Sequence, residues 1–187
     1  MPHSRKLSPR KLAEKKGDLS TPRILLKLML FTLLVPAGVT LWLPLFVLFP
    51  RIRQRPVAWN LTTFGAIALI AIGAAGYLWC ALDFAFFGKG TPAPIDMPKY
   101  LVVRGPYKYT RNPMYISVCT LLLGESALFR STTLVGYAAV VAICFHLFVR
   151  FEEEPALRRK MGAAYETYSS EVPRWIPRFT RGRHHAL

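Results

Sequence analysis

Four long apolar runs, Ile24 to Phe49, Val57 to Phe87, Met114 to Phe129 and Ser131 to Val149, commit this chain to a bilayer. About 18 or more consecutive apolar residues mark a helix that crosses the hydrocarbon, since only a helix satisfies its own backbone polar groups there. The third and fourth runs hold 16 and 19 residues. At about 1.5 Å per residue they cover roughly 24 to 29 Å, close to the hydrocarbon thickness. The expected fold is all-α, a polytopic integral membrane helical bundle of four transmembrane helices plus a C-terminal amphipathic cytoplasmic helix. Pro36 and Pro44 kink the first run, with a re-entrant hairpin through Pro36-Ala37-Gly38 as the alternative. Gly65, Gly73 and Gly76 predict close helix packing in the second.

A net charge of +15 over 187 residues would also suit a nucleic-acid-binding domain, but such a domain does not carry apolar runs of this length. With four spans, twenty of the twenty-five Lys and Arg residues fall on one side: in the arm at 1–23, in the loop at 88–113 and from Arg150 onward. The positive-inside rule makes that side cytoplasmic and puts both termini there, in a multi-pass protein of a bacterial inner membrane or its equivalent. The run beginning at Ile24 is too long for the apolar part of a signal peptide. The chain then divides into the basic arm and one membrane domain over 24–187. Cys80, Cys119 and Cys144 all lie in apolar runs and read as small buried side chains, and no metal-ligand spacing is present.

The polar loop at 88–113 ends in Lys-Tyr-Leu-Val-Val-Arg-Gly-Pro-Tyr-Lys-Tyr-Thr-Arg-Asn-Pro. Pro106 and Pro113 forbid a plain helix, so the chain turns and restarts, with Asn112 as N-cap and Pro113 as first helical residue. Beyond the fourth run, Leu157, Met161, Tyr165 and Tyr168 share one face of a helix over 151–170, which suits a membrane surface. Trp175 fits the headgroup level, and Arg174, Arg178, Arg181 and Arg183 suit anionic lipid. The tight hairpin at Arg130-Ser131 makes the cytoplasmic ends of the last two spans neighbours. Glu153 and Glu154 then come within reach of Tyr107, Asn112 and Tyr115 at a site open to water and to the bilayer. Tyr100 and Tyr109, taken singly, read as interfacial anchors, Glu152 as a solvated helix-start residue and His146 as a packing or capping group. Asp83 and Glu125 read as snorkelling or as pairing with Lys89 and Arg130.

On these residues the chain resembles the isoprenylcysteine carboxyl methyltransferase-like integral membrane methyltransferases, which include phospholipid N-methyltransferases. The resemblance covers roughly residues 77 to 177. It rests on Leu101-Val102-Val103-x-Gly105-Pro106-Tyr107, on Arg111-Asn112-Pro113-Met114-Tyr115 and on Glu153-Glu154-Pro155-x-Leu157 followed by Gly162, Tyr165, Tyr168 and Val172-Pro173-Arg174. It implies S-adenosylmethionine as methyl donor on the cytoplasmic side and a lipid-like or prenylated acceptor arriving from the bilayer. By position it implies cofactor binding by Lys99, Tyr100, Leu101 and Val102, by Gly105 and Tyr107, by Asn112, Pro113, Met114 and Tyr115, and by Glu153. Arg150 and Glu154 become the candidates for acting on the acceptor.

Many members have His where this chain has Asn112, which cannot act as a general base. Relatives that methylate prenylated cysteine place an Arg four residues before the cofactor-binding glutamate. That position is Arg150 counted from Glu154 but Val149 counted from Glu153, so carboxyl O-methylation and amine N-methylation both stay open. Two other readings also stand: an NADPH-dependent membrane reductase of the sterol type, which shares the cofactor loop and would use Arg104, Lys108 and Arg111, and a non-catalytic membrane scaffold.

Overall fold

The computed structural model describes residues 21–46, 59–88 and 101–178. Those residues are helical with connecting turns, and they contain no strand. The arm up to residue 20, the basic loop at 51–55, the first part of the polar loop, including Lys89, Lys99 and Tyr100, and the last residues with Arg181 and Arg183 lie outside them.

Helix α1 (Thr21–Leu34) continues through a widened turn at Gly38–Trp42, so the described part of the first apolar run, up to residue 46, is one helix with a kink rather than a hairpin. The ladder carries across Pro36, from Val35 N–H to Phe31 O at 2.9 Å and from Val39 N–H to Val35 O at 3.0 Å. Side chains cover the carbonyls around the kink: Thr40 donates to Pro36 O at 2.8 Å and Tyr137 to Val39 O at 2.9 Å. This is how proline is accommodated where no water can help.

Helix α2 (Leu61–Asp83) is capped by Asn60, whose Oδ1 accepts from Thr63 N–H at 3.0 Å, and it widens into a π-type turn at Phe84–Gly88. Helix α3 (Pro113–Leu128) and helix α4 (Thr132–Phe148) form the expected tight hairpin. Arg130 makes its reversal at φ 47°, Ser131 N–H bonds Ser126 O at 3.0 Å, and the Ser131 hydroxyl caps Leu134 N–H at 3.3 Å.

The helix expected over 151–170 takes a different form. Helix α4 runs on through a π-type turn at Val149–Glu153 into α5 (Glu154–Met161), and Gly162 then breaks the path before α6 (Ala163–Glu171). Gly162 sits at φ 55° and ψ −131°, a conformation that only glycine adopts readily, so one periodic apolar face is divided between two helices. The face itself survives the break. Tyr165, Tyr168 and Val172 form a small core with Leu101, Leu157 and Met161.

Three of these helical stretches, Leu26–Phe46, Leu61–Gly88 and Thr132–Met161, are long and apolar enough to cross a membrane, and α3 is a shorter apolar helix. The last stretch has 30 residues. That is about 45 Å, longer than the roughly 30 Å hydrocarbon, so one end stands clear of it.

The closest packing is between α2 and α3. A Cβ at Gly73 would lie 2.8 Å from the Leu121 nitrogen and the Ser117 carbonyl oxygen, and one at Gly124 would lie 2.9 Å from the Ile70 nitrogen. The two backbones touch where the side chains are missing, as small residues permit in membrane helices. Gly76 joins this contact against Ser117, whereas Gly65 faces open space. A hydrogen bond of 2.9 Å between Thr32 and Tyr77 ties α1 to the pair. The cysteines are free, with Cys80 fully buried and Cys144 exposed, so only part of the buried-side-chain expectation holds for them.

Candidate functional site

The site is built on the turn at Gly105–Lys108, which crosses the end of α2. Gly105 is at φ 47°, and a Cβ there would meet Asp83 Oδ2 at 2.7 Å and Trp79 Nε1 at 2.8 Å, so both its backbone angle and its surroundings demand glycine. Arg104 lies over the Phe87 ring at 3.5 Å, and Tyr107 N–H closes the turn on Arg104 O at 2.9 Å. The turn sends the Tyr107 ring inward against Phe84, with ring centroids 5.4 Å apart. Burial, then the neighbouring ionisable groups of Cys80 and Glu153, hold the Tyr107 hydroxyl well above the ordinary tyrosine value, so it is a neutral group.

From the turn the chain reaches Asn112 and the start of α3. Pro113 takes the first helical position, as expected, but the Asn112 side chain does not cap the helix. Its Nδ2 donates to Arg174 O at 3.1 Å instead. Residues 172–178 run beside the loop as a strap, held by Arg111 N–H to Pro173 O at 2.9 Å and by Arg178 N–H to Tyr109 O at 3.1 Å. Thr110 adds a hydroxyl bond to Arg174 O at 3.0 Å, and Tyr168 donates to Tyr107 O at 2.8 Å.

The two central glutamates, adjacent in sequence, have different partners. Glu153 Oε2 accepts from the Tyr115 hydroxyl at 2.7 Å. Glu154 accepts from Arg174 Nε and Nη2 at 2.7 and 2.8 Å and pairs with Arg111 at 3.0 Å, forming a triad of one buried carboxylate and two partly buried guanidiniums. Arg174 is therefore turned into the protein and away from lipid. Trp175 is turned inward too, donating from Nε1 to His146 Nδ1 at 3.1 Å with its ring 6.5 Å from that of Tyr115.

Between these groups lies a cavity of about 330 Å³. Leu101, Val102, Tyr107, Asn112, Met114, Tyr115, Glu153 and Glu154 line it, together with Phe84, Arg111, Phe148, Tyr165 and Tyr168. Gly105 and Pro113 shape the chain beside the cavity without lining it, and Arg150 is not among its lining residues. Arg150 is exposed, with its guanidinium 5.8 Å from the ring of its neighbour Phe151. Lys99 and Tyr100 fall outside the described residues. Sequence reasoning passed over Arg111, Arg174, Tyr165 and Tyr168 as site residues. A usable signal existed: carboxylates on a helix returning to an apolar core need buried cations, and Arg111 and Arg174 both lie inside the quoted motifs.

A family model for phospholipid methyltransferases matches residues 61–164, more than half of the chain. The chain belongs to the phospholipid methyltransferase family. The match ends just before Tyr165, so the strap lies outside it while the loop residues that tether it lie inside. The chain is also 30% identical over 123 residues to the nickel-cobalt-cadmium resistance protein NccN of Alcaligenes xylosoxydans xylosoxydans. The aligned part covers 64% of this chain and 51% of NccN, so the chain spans about half the length of that relative. No solved structure matches this phospholipid methyltransferase family member.

Proposed function

We propose that this family member is a membrane methyltransferase that transfers a methyl group from S-adenosylmethionine to a lipid-like acceptor at the cytoplasmic face of the membrane. The observation that carries the reading is Glu153, a carboxylate in the wall of the 330 Å³ cavity with one oxygen held by Tyr115 and with aromatic rings around it. Cavities of a few hundred Å³ with mostly apolar walls and a few convergent polar groups are the usual form of small-molecule sites. When bound, the donor supplies an electrophilic methyl group on a sulfonium cation. The residue types fit it: Glu153 is an acceptor for hydroxyl or ammonium donors, the Tyr107, Tyr115 and Phe84 rings suit a cation, and Leu101, Val102 and Met114 give apolar contact.

Leu101, Val102, Tyr107, Asn112, Met114, Tyr115 and Glu153 hold the donor in this proposal, and the acceptor arrives from the bilayer side. Glu154 serves by fixing Arg111 and Arg174, which keep the loop and the strap around the cavity. Because Arg150 stands outside the cavity, the reading does not depend on a carboxylate in the acceptor. The chain's own work is to orient both reactants and to exclude water, which is where most of the rate of a direct displacement comes from.

The test is calorimetric titration of the detergent-purified protein with S-adenosylmethionine, S-adenosylhomocysteine and NADPH, repeated with Glu153→Gln. Saturable binding of both adenosyl compounds, weakened in the variant, is expected. Binding of NADPH alone would replace the proposal with a reductase, and binding of none of the three by folded protein would leave a scaffold.

A further inference from the structure

The strap delivers two adjacent residues to two adjacent glutamates. Arg174 reaches Glu154 directly. Its neighbour Trp175 makes no hydrogen bond to Glu153, but it packs on the residue that does. The Tyr115 ring has the Phe145 ring at 4.7 Å and the Trp175 ring at 6.5 Å, and its hydroxyl reaches Glu153 Oε2 at 2.7 Å. Trp175 is itself fixed at both ends. Its indole N–H donates to His146 Nδ1 at 3.1 Å, and its carbonyl oxygen accepts from the Thr110 hydroxyl at 3.2 Å. Neither Trp175 nor His146 is among the residues lining the cavity.

We infer that Trp175 and His146 are a positioning pair for donor binding, holding the Tyr115 ring so that its hydroxyl fixes the Glu153 carboxylate toward the cavity. The inference rests on the donor reading above and adds the two residues to it. The physical basis is the freedom of Tyr115 and Glu153 without a backstop. A tyrosine ring packed on one side only by Phe145 has other rotamers open to it, and a carboxylate without a fixed donor samples several orientations. The His146 bond matters because the indole can hold its position against Tyr115 only while its N–H has an acceptor, a requirement that buried tryptophans regularly show. The role of His146 Nδ1 is therefore that of an acceptor.

A double-mutant cycle on donor affinity separates this role from simple packing. Trp175→Ala and Tyr115→Phe are expected each to weaken S-adenosylmethionine binding by roughly tenfold, within the range of coupling seen for contacting residues. The double variant should bind no worse than Tyr115→Phe alone, because Trp175 acts through that hydroxyl. If Trp175→Ala does not fold, Trp175→Phe keeps an aromatic ring at the position while removing the N–H together with the pyrrole part of the indole. Its loss of affinity should be reproduced by His146→Leu and not by His146→Asn, whose Oδ1 can accept in place of Nδ1. Additive losses in the cycle, or equal effects of the Leu and Asn variants, would overturn the inference while leaving the donor site intact. A folded wild-type protein that binds no S-adenosylmethionine would overturn both, and the wild-type titration alone tells the two failures apart.

Discussion

Glu154 accepts two hydrogen bonds from the Arg174 guanidinium, at 2.7 and 2.8 Å, across a separation of twenty residues that includes a helix break. Arg111 joins the same carboxylate at 3.0 Å, and the Glu154 side chain is only 7% exposed. Removing the carboxylate leaves two partly buried cations without their counter-ion. Glu154→Ala is expected to lower stability by about 3–5 kcal/mol, the usual cost of breaking a buried pair from one side. Thermal unfolding in detergent measures it, and an unchanged midpoint would show that the triad contributes nothing to the fold.

Arg150 gives the opposite expectation. It is exposed and outside the cavity wall, so Arg150→Ala should leave stability within about 0.5 kcal/mol and donor affinity within a factor of about two, as for ordinary surface positions. A large selective loss of acceptor turnover in this variant would instead support the role on the acceptor that its position in the sequence suggests.

Tyr107 is both a cavity residue and a core residue, 6% exposed and packed on Phe84. Truncation to Ala should cost about 3–5 kcal/mol, like other buried aromatic deletions, and would confuse folding with binding. Tyr107→Phe keeps the ring and removes only a buried neutral hydroxyl, so it should fold at close to wild-type stability. Comparing the two unfolding midpoints checks the assignment.

The α2–α3 contact predicts a contrast between two glycines. Gly73→Ala puts a methyl group 2.8 Å from backbone atoms of α3, which cannot step aside as a side chain can, and should destabilise by about 1–3 kcal/mol. Gly65→Ala meets nothing within 4 Å and should stabilise by up to about 1 kcal/mol through helix propensity. Paired unfolding measurements on the two variants decide it.

Burial raises the pKa of Tyr107, Tyr165 and Tyr168 above the ordinary value of 10.0. The folded state thus holds these protons more tightly than the unfolded chain does. This contribution to stability is complete below pH 10 and declines as the pH climbs above it, because the unfolded chain ionises first. Alkaline titration followed by tyrosinate absorbance should show late ionisation coinciding with unfolding, and Tyr168→Phe should make the transition shallower.

Much of this arrangement was written in hydropathy and turn chemistry. The long apolar runs marked the membrane helices, Pro36 its kink, Arg130-Ser131 the hairpin, and that hairpin alone brought Tyr115 beside Glu153. The break at Gly162 was less legible, since apolar periodicity runs through a single glycine whose positive φ depends on what the two flanking helices pack against. Equally hidden was the inward turn of Arg174 and Trp175. A basic and an aromatic residue after the last helix look the same whether they meet lipid headgroups or a buried carboxylate and a histidine. Only the return of the strap along the loop distinguishes the two.

That return has a consequence for the order in which the protein comes into being. The bonds from Arg111 to Pro173 and from Arg178 to Tyr109 join positions more than sixty residues apart, and the later partner of each follows every apolar run in the chain. On a ribosome, the apolar helices can be inserted and the α3–α4 hairpin closed before the strap ties down the loop beside the cavity. The site is braced last, by a segment that leaves the exit tunnel after every apolar run has emerged.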